Sequence, residues 1–278
     1  MPSYFTHDIF GKEVLNRLDS YLTEKVDKDI FLVFCQSHDY LFYSFNRKVN
    51  ELGHYAHKNN TQDYILNIIS YIKDNNLVYN KELLGYLYGS ICHFILDVTT
   101  HPFINMQSNE LVRYNGYKGR HRLVEKYIDS IYYERYYGVK IYNKKENFNK
   151  INFSLNLCNC INEVYNKTYR MADVSELYLK SIKDFSRIYK YLYWDKMGIK
   201  MYIYRFLSMV SNYNLECLSL RYCDKNLNYI INDFDVLYNN ALSECNNTIS
   251  KIDAYFSGRE NTQLKKIIPN MNYSGKEL

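Results

Sequence analysis

Residues that break regular structure are scarce in this chain: only three of 278 are proline (Pro2, Pro102 and Pro269) and ten are glycine. That scarcity argues against a many-stranded sheet protein and favours long helices. The seven cysteines are scattered, with no CxxC pair, which argues against a disulfide framework and fits a reducing compartment. No uncharged apolar run approaches the roughly 18 residues needed to span a bilayer. The opening residues Met1-Pro-Ser-Tyr-Phe-Thr-His-Asp8 lack a basic region followed by an apolar one, so a soluble, cytoplasmic protein is expected. Positive charge is modest, a net +5 with pI near 8.6, less than nucleic-acid binders gather on one face. Tyrosine, by contrast, is abundant at 32 copies. It reads as a substitute for Phe or Leu at half-buried positions rather than as a set of base-stacking platforms.

Apolar residues recur at three- and four-residue steps along most of the chain, the signature of amphipathic helices. Thr6 is a plausible N-cap for a first helix carrying Ile9, Phe10, Val14, Leu18 and Leu22. The short run Asp29–Cys35 is continuously apolar, and its period does not separate helix from strand. Helical spacing returns from Tyr40 to about Gly53, from Thr61 through Lys73, from Asn80 to about Thr100 and from Arg120 to about Tyr137. Pro102 predicts an end to the fourth of these near Thr100. The polar stretch from there to Gly119 reads as a loop over a functional site. Further helices are expected near 151–169, 173–210 and 225–256, the middle one opened by the capping-box pattern Asp173-Val-Ser-Glu176. The tail after Ser257 is polar and is expected to fray. The fold class is therefore all-α, a multi-helix bundle. Residues 1–138 form its metal-binding core, and 139–278 are a helical half packed on it as one continuous domain.

The chemistry gathers in the first of these parts. All seven histidines (His7, His38, His54, His57, His93, His101 and His121) precede residue 122, although the remainder is just as helical. His93 and Asp97 are four apart, one helical turn on one face, and so are His121 and Glu125. His101 follows one turn after Asp97. Imidazoles and carboxylates distributed over successive helices are what a metal site in a bundle interior requires. The donor set favours zinc, with manganese or iron as the next choices. So many donors exceed one tetrahedral site and imply two or three ions clustered between the helices. Clustered zincs suit phosphoryl chemistry, activating a water and neutralising the leaving oxygen.

The ordered series His7, Asp39, His54, His93-x-x-x-Asp97, His101, His121-x-x-x-Glu125 resembles the zinc-dependent phospholipase C family, which shares an all-helical fold with fungal single-strand-specific nucleases. The likeness covers about residues 5–130. It implies hydrolysis of a phospholipid-like phosphodiester by a metal-activated water. It also implies one zinc on Asp39, His54, His93 and Asp97, a second on His101, His121 and Glu125, and a third on His7 with Asp97 bridging. Asp39 would double as the general base. In the family's secreted enzymes a leading Trp completes the third site. Here six residues precede His7 and none is Trp, so Asp8 or the chain terminus would stand in. His38 and His57 are alternative ligands beside the matched ones.

Two other readings stand beside this one. His7-Asp8, His38-Asp39 and Asp97 suggest an HD-type metal phosphohydrolase, which leaves His101, His121 and Glu125 without a role. A non-catalytic helical metal-binding protein is the third reading, distinguished by sites closed with four protein ligands. The expected partners are a small-molecule or lipid phosphodiester and at most a transient membrane contact. The basic, Tyr-rich face around Arg187–Lys200 is read first as solvated. No nucleic acid or protein partner is indicated. Tyr114 and Tyr117 would supply an aromatic mouth.

Overall fold

The structure is a computed structural model that describes residues 4–111, 120–143, 151–211, 213, 215–222, 225–259 and 263–278. In chain order the helices are α1 (Tyr4–Arg17), α2 (Ser20–Glu24), α3 (Lys28–Phe34), α4 (Arg47–Ala56), α5 (Thr61–Asp74), α6 (Lys81–Glu110), α7 (Arg120–Tyr137), α8 (Leu155–Tyr169), α9 (Val174–Ile188), α10 (Ile199–Val210), α11 (Ile231–Phe256) and α12 (Leu264–Ile267). A tight 3-10 segment, Ser37–Tyr43, links α3 to α4. Among the described residues no strand forms; one isolated bridge joins Met271 to Glu277.

Local chemistry sets several helix starts. Asp27 accepts from the backbone N–H of Asp29 and Ile30, each at 3.0 Å, and Asn80 accepts from that of Leu83 at 3.1 Å. Both satisfy donors that a helix leaves without partners. The run 28–34, ambiguous by period, is therefore the helix α3. It packs flush on α6 because Gly89 lets the two backbones touch: a Cβ there would lie 2.9 Å from that of Phe34.

α6 is the axis of the bundle, flanked by α1, α3, α5, α7 and α11. Its residues Leu83 to Asp97 are all buried, so it is enclosed around its whole circumference, as a central helix is. It does not stop at Thr100. Pro102 lies inside it, which removes the hydrogen bond to the Val98 carbonyl. Gly275 of the tail fits against the exposed step. A Cβ there would come 2.6 Å from Pro102 Cγ and 2.9 Å from the Val98 oxygen, and its φ is +73°, so only glycine fills this position without strain.

Other expectations are corrected in the same way. α1 begins at Tyr4, so Thr6 is not its cap; Thr6 instead donates from its backbone N–H (2.8 Å) and Oγ1 (2.7 Å) to Asp129 of α7. The helix expected over 173–210 is two helices joined by a π turn, Tyr189–Tyr193, and a bend before Gly198. Asp173 takes a left-handed backbone and caps nothing; Asn162 Oδ1 receives the N–H of Ser175 instead, at 2.8 Å. The tail does not fray: Ile268, Asn272 and Tyr273 are buried. The loop expected from Pro102 does not begin there, since α6 continues to Glu110, and the later part of that stretch, with Tyr114 and Tyr117, lies outside the described residues. Tyrosine serves as a full core residue, with Tyr64, Tyr86, Tyr88, Tyr133, Tyr165 and Tyr178 among the largest fully buried side chains. One apolar core unites residues from both halves of the chain.

Candidate metal centre

Three positions on one stripe of α6, His93, Asp97 and His101, face the space between α1, α4 and α7. Asp97 stands at the centre. Its Oδ1 lies 3.2 Å from His7 Nε2 and 3.4 Å from His101 Nδ1, and its Oδ2 lies 3.3 Å from His57 Nε2 and 3.6 Å from His93 Nε2. Asp39 Oδ1 is 3.8 Å from His93 Nε2, and Glu125 Oε1 is 2.8 Å from His121 Nε2 and 3.9 Å from His101 Nε2. The donors form three overlapping groups, His7/Asp39/His93, His57/Asp97/His101 and His101/His121/Glu125. Within each, one ligand atom per residue lies within 4.8 Å of the others.

Backbone carbonyls fix which ring nitrogen points inward. Cys35 O is 3.2 Å from His93 Nδ1, and Asp97 O is 3.2 Å from His101 Nδ1. A carbonyl can only accept, so Nδ1 carries the proton in each ring and Nε2 keeps its lone pair toward the cluster.

The cluster is buried and short of donors. His7 (both nitrogens), Asp39 and Asp97 (both oxygens each), and Nε2 of His57, His93 and His101 are buried without an aligned hydrogen bond. Each such group costs about 1–3 kcal/mol when left unsatisfied, and the carboxylate oxygens and unprotonated imidazole nitrogens among them are acceptors converging on one space. A cation satisfies such a set and another hydrogen-bonding side chain does not, so these residues fit zinc.

Burial and mutual proximity shift the protonation of the cluster. Burial raises the Asp39 carboxyl well above its usual range, and the nearby Asp97 and Glu125 charges push it further. Burial also works against ionised Asp97, but His101 and His93 outweigh it and hold that carboxyl well below normal. Glu125 is brought down to about 2, its burial overcome with the help of His121 and His101. Burial drives His101 down to about 3, despite Asp97. It also takes His93 well below its usual value. His93 and His101 are therefore neutral near neutral pH, the form that ligates metal.

Of the expected site residues, His7, Asp39, His93, Asp97, His101, His121 and Glu125 come together. His54 does not. It is exposed on α4 with its ring 4.5 Å from Phe42, while His57, three residues on, reaches Asp97. Val49, Leu52, Gly53 and Ala56 form the inward stripe of α4, and His57 flanks that stripe while His54 lies on the far side. His38 points elsewhere, its Nδ1 2.8 Å from Tyr165 Oη. Asp8 is held by Lys12 Nζ at 2.6 Å. The HD reading therefore loses both of its His-Asp pairs. One residue that sequence reasoning missed is Tyr273, whose buried ring lies 4.9 Å from that of His93 and 5.1 Å from that of His57. A single tyrosine in a polar tail gives no periodic signal.

Beside the third group a cavity of about 410 Å³ is lined by Tyr4, Phe5, Tyr43, Phe185, Tyr189, Tyr193 and Tyr213, with Glu125 and His121 in its wall. Arg122 and Lys126, each next in sequence to one of that pair, line it as well.

The model of the zinc-dependent phospholipase C family matches residues 6–173, more than half of the chain. The chain belongs to this family. As a member it is a zinc-dependent phosphodiester hydrolase, and the matched region runs from α1 through α8, carrying every donor of the cluster. Comparison with curated proteins and with solved structures gave no significant match. No helix among the described residues of this phospholipase C relative is long and apolar enough to cross a membrane.

Proposed function

We propose that the chain hydrolyses the phosphodiester of a phospholipid at a cluster of two or three zinc ions. His7, Asp39 and His93 would hold one, His101, His121 and Glu125 a second, and Asp97 with His57 would join or complete a third. Zinc supplies Lewis acidity here, making a water acidic enough to ionise near neutral pH and drawing charge from the phosphoryl oxygens. The observation that carries the reading is the convergence of buried acceptor atoms without hydrogen bonds beside an aromatic-walled cavity.

The chain's own groups divide the remaining work. Asp39 would take the proton of the attacking water at an oxygen that makes no hydrogen bond within the protein, the position a general base needs. Arg122 and Lys126 have no carboxylate at ion-pair distance among the described residues, and they orient the phosphate by charge. Tyr4, Tyr43, Phe185 and Tyr189 exclude water and receive the apolar part of the substrate. Turnover of a lipid phosphodiester, rather than of a nucleic acid, agrees with a cavity walled by rings on one side and a mild net charge.

Elemental analysis of the purified protein tests this, together with hydrolysis of a short-chain phosphatidylcholine below its micellar concentration. Two or three zincs per chain are expected, with partial loss in His93→Ala and in His121→Ala and loss of turnover in both. A parent protein that takes up no zinc overturns the reading.

A further inference from the structure

The helix α10 is built inside out. Of its twelve residues only Ser208 is buried, although its sequence, Ile-Lys-Met-Tyr-Ile-Tyr-Arg-Phe-Leu-Ser-Met-Val, is among the most apolar in the chain. At about 100° per residue, Ile199, Tyr202, Ile203, Phe206, Leu207, Met209 and Val210 form one stripe about 160° wide. In a helix of a globular protein that stripe faces the core. Here it faces solvent, with Met209 77%, Tyr202 66% and Phe206 65% exposed. The opposite side is the anchored one. Asp195 Oδ2 accepts the N–H of Met201 at 2.9 Å, Tyr204 Oη donates to Leu192 O at 3.0 Å, and Ser208 Oγ accepts the N–H of Leu215 at 2.8 Å. These bonds fix the orientation and leave the stripe without a partner among the described residues.

We propose that this stripe docks the protein on a bilayer that contains anionic lipids. Three observations select that occupant. From Arg187 to Ser211 the chain carries five cations (Arg187, Lys190, Lys196, Lys200 and Arg205) and one acid, Asp195. That acid is buried as the helix anchor, and Arg187 pairs with Asp184 and Arg205 with Glu216, so Lys190, Lys196 and Lys200 leave the face net positive around an apolar centre, the pattern of an interfacial helix. A second copy of the chain would have to bring like charges together across such a face. At twelve residues the helix is too short to span a bilayer and must lie in its surface. Finally, the stripe adjoins the cavity: Tyr189 and Tyr193 before α10 and Tyr213 after it are cavity-wall residues. Docking by α10 therefore sets the mouth of that cavity against lipid. The purpose of the surface rests on the lipid-hydrolase reading above, but its existence does not. The surface also reverses the expectation of a merely solvated face, because here the apolar residues point outward.

Cosedimentation with phosphatidylcholine vesicles, with and without phosphatidylserine, tests the proposal on the full chain, with Trp194, the single tryptophan, as a fluorescent reporter. The expected result is binding that requires phosphatidylserine and weakens with salt. Ile203→Asp and Phe206→Asp should each lower the partition coefficient by at least about thirtyfold, the loss expected from withdrawing a large apolar side chain. Turnover of a soluble short-chain phosphodiester should be unchanged in both. No binding to either vesicle overturns the proposal, as does binding that both variants retain. A concentration-dependent dimer dissolved by the same substitutions, without vesicle binding, also overturns it and gives the surface to a second copy. If the hydrolase reading alone is wrong, no phosphodiester is turned over while the vesicle binding and its loss in the variants persist.

Discussion

Replacing Asp97 with Asn keeps the shape of the side chain and removes one negative charge from the point where four imidazoles converge, at 3.2 to 3.6 Å. The amide offers one oxygen where the carboxylate offers two, and turns N–H donors toward ring nitrogens whose lone pairs face the cluster. Loss of even an indirect partner of a metal ligand lowers affinity by about 10–100-fold, so a central carboxylate should cost at least the upper figure. With free zinc at 100 times the parent dissociation constant, each bound ion stabilises the fold by about 2.7 kcal/mol. A hundredfold weaker site under the same conditions contributes about 0.4 kcal/mol, so roughly 2.3 kcal/mol of zinc-dependent stability disappears per affected site. Urea unfolding with and without a chelator, read beside zinc content, measures this difference. An Asn variant that keeps its full zinc and the same chelator-sensitive increment would refute the central role of Asp97. Equal loss of stability with and without chelator would show that the carboxylate serves packing alone.

Other consequences can be measured in the same way. His57→Ala should lower zinc content and turnover, while His54→Ala, at an exposed position, should leave both near parental; the reverse order would restore His54 as the ligand. Lys126 is buried, and burial lowers its ammonium to about 8, with Asp129 only partly opposing. The unfolded chain therefore binds the extra proton between pH 8 and the usual lysine value, and stability rises with pH across that window. Lys126→Met should stabilise the fold at pH 7 by about 2 kcal/mol, allowing for water in the adjoining cavity, and the gain should fade by pH 10. The same variant should raise KM for a phosphodiester substrate, and an unchanged KM would remove Lys126 from phosphate binding. Gly275→Ala, with its positive φ and its contact with Pro102 and the Val98 carbonyl, should cost about 2 kcal/mol or more in urea unfolding; a neutral result would mean that the tail does not pack as described.

Period and scarcity of breakers were enough to recognise the helices because their packing follows the same three- and four-residue steps that the side chains show. They fail where another part of the chain decides. Pro102 is tolerated because Gly275, far away in sequence, fills the step it creates. The apolar series of 173–210 runs through the π turn and bend without interruption, so no local signal marks the break. The direction in which α10 faces depends on three hydrogen bonds to its own base. At the cluster, ligand types and spacing pointed to the residues on α6 and α7, where i to i+4 pairs settle the face. The choice between His54 and His57 was open to the sequence in principle, since Val49, Leu52, Gly53 and Ala56 mark the buried stripe of α4. Tyr273 was not, because burial of one ring in a polar tail leaves no pattern.

The placement of that ring has a consequence for synthesis. The ligand-bearing helices emerge from the ribosome early, and segments generally fold in the order in which they appear. Yet His57 and His93 meet Tyr273 only after the long stretch of chain between His93 and Tyr273 has been made. A nascent or prematurely stopped chain can hold all its metal-binding side chains and still lack the wall behind two of them. Synthesis through Tyr273 thus becomes a checkpoint for hydrolytic competence, long after the last ligand-bearing helix has been made.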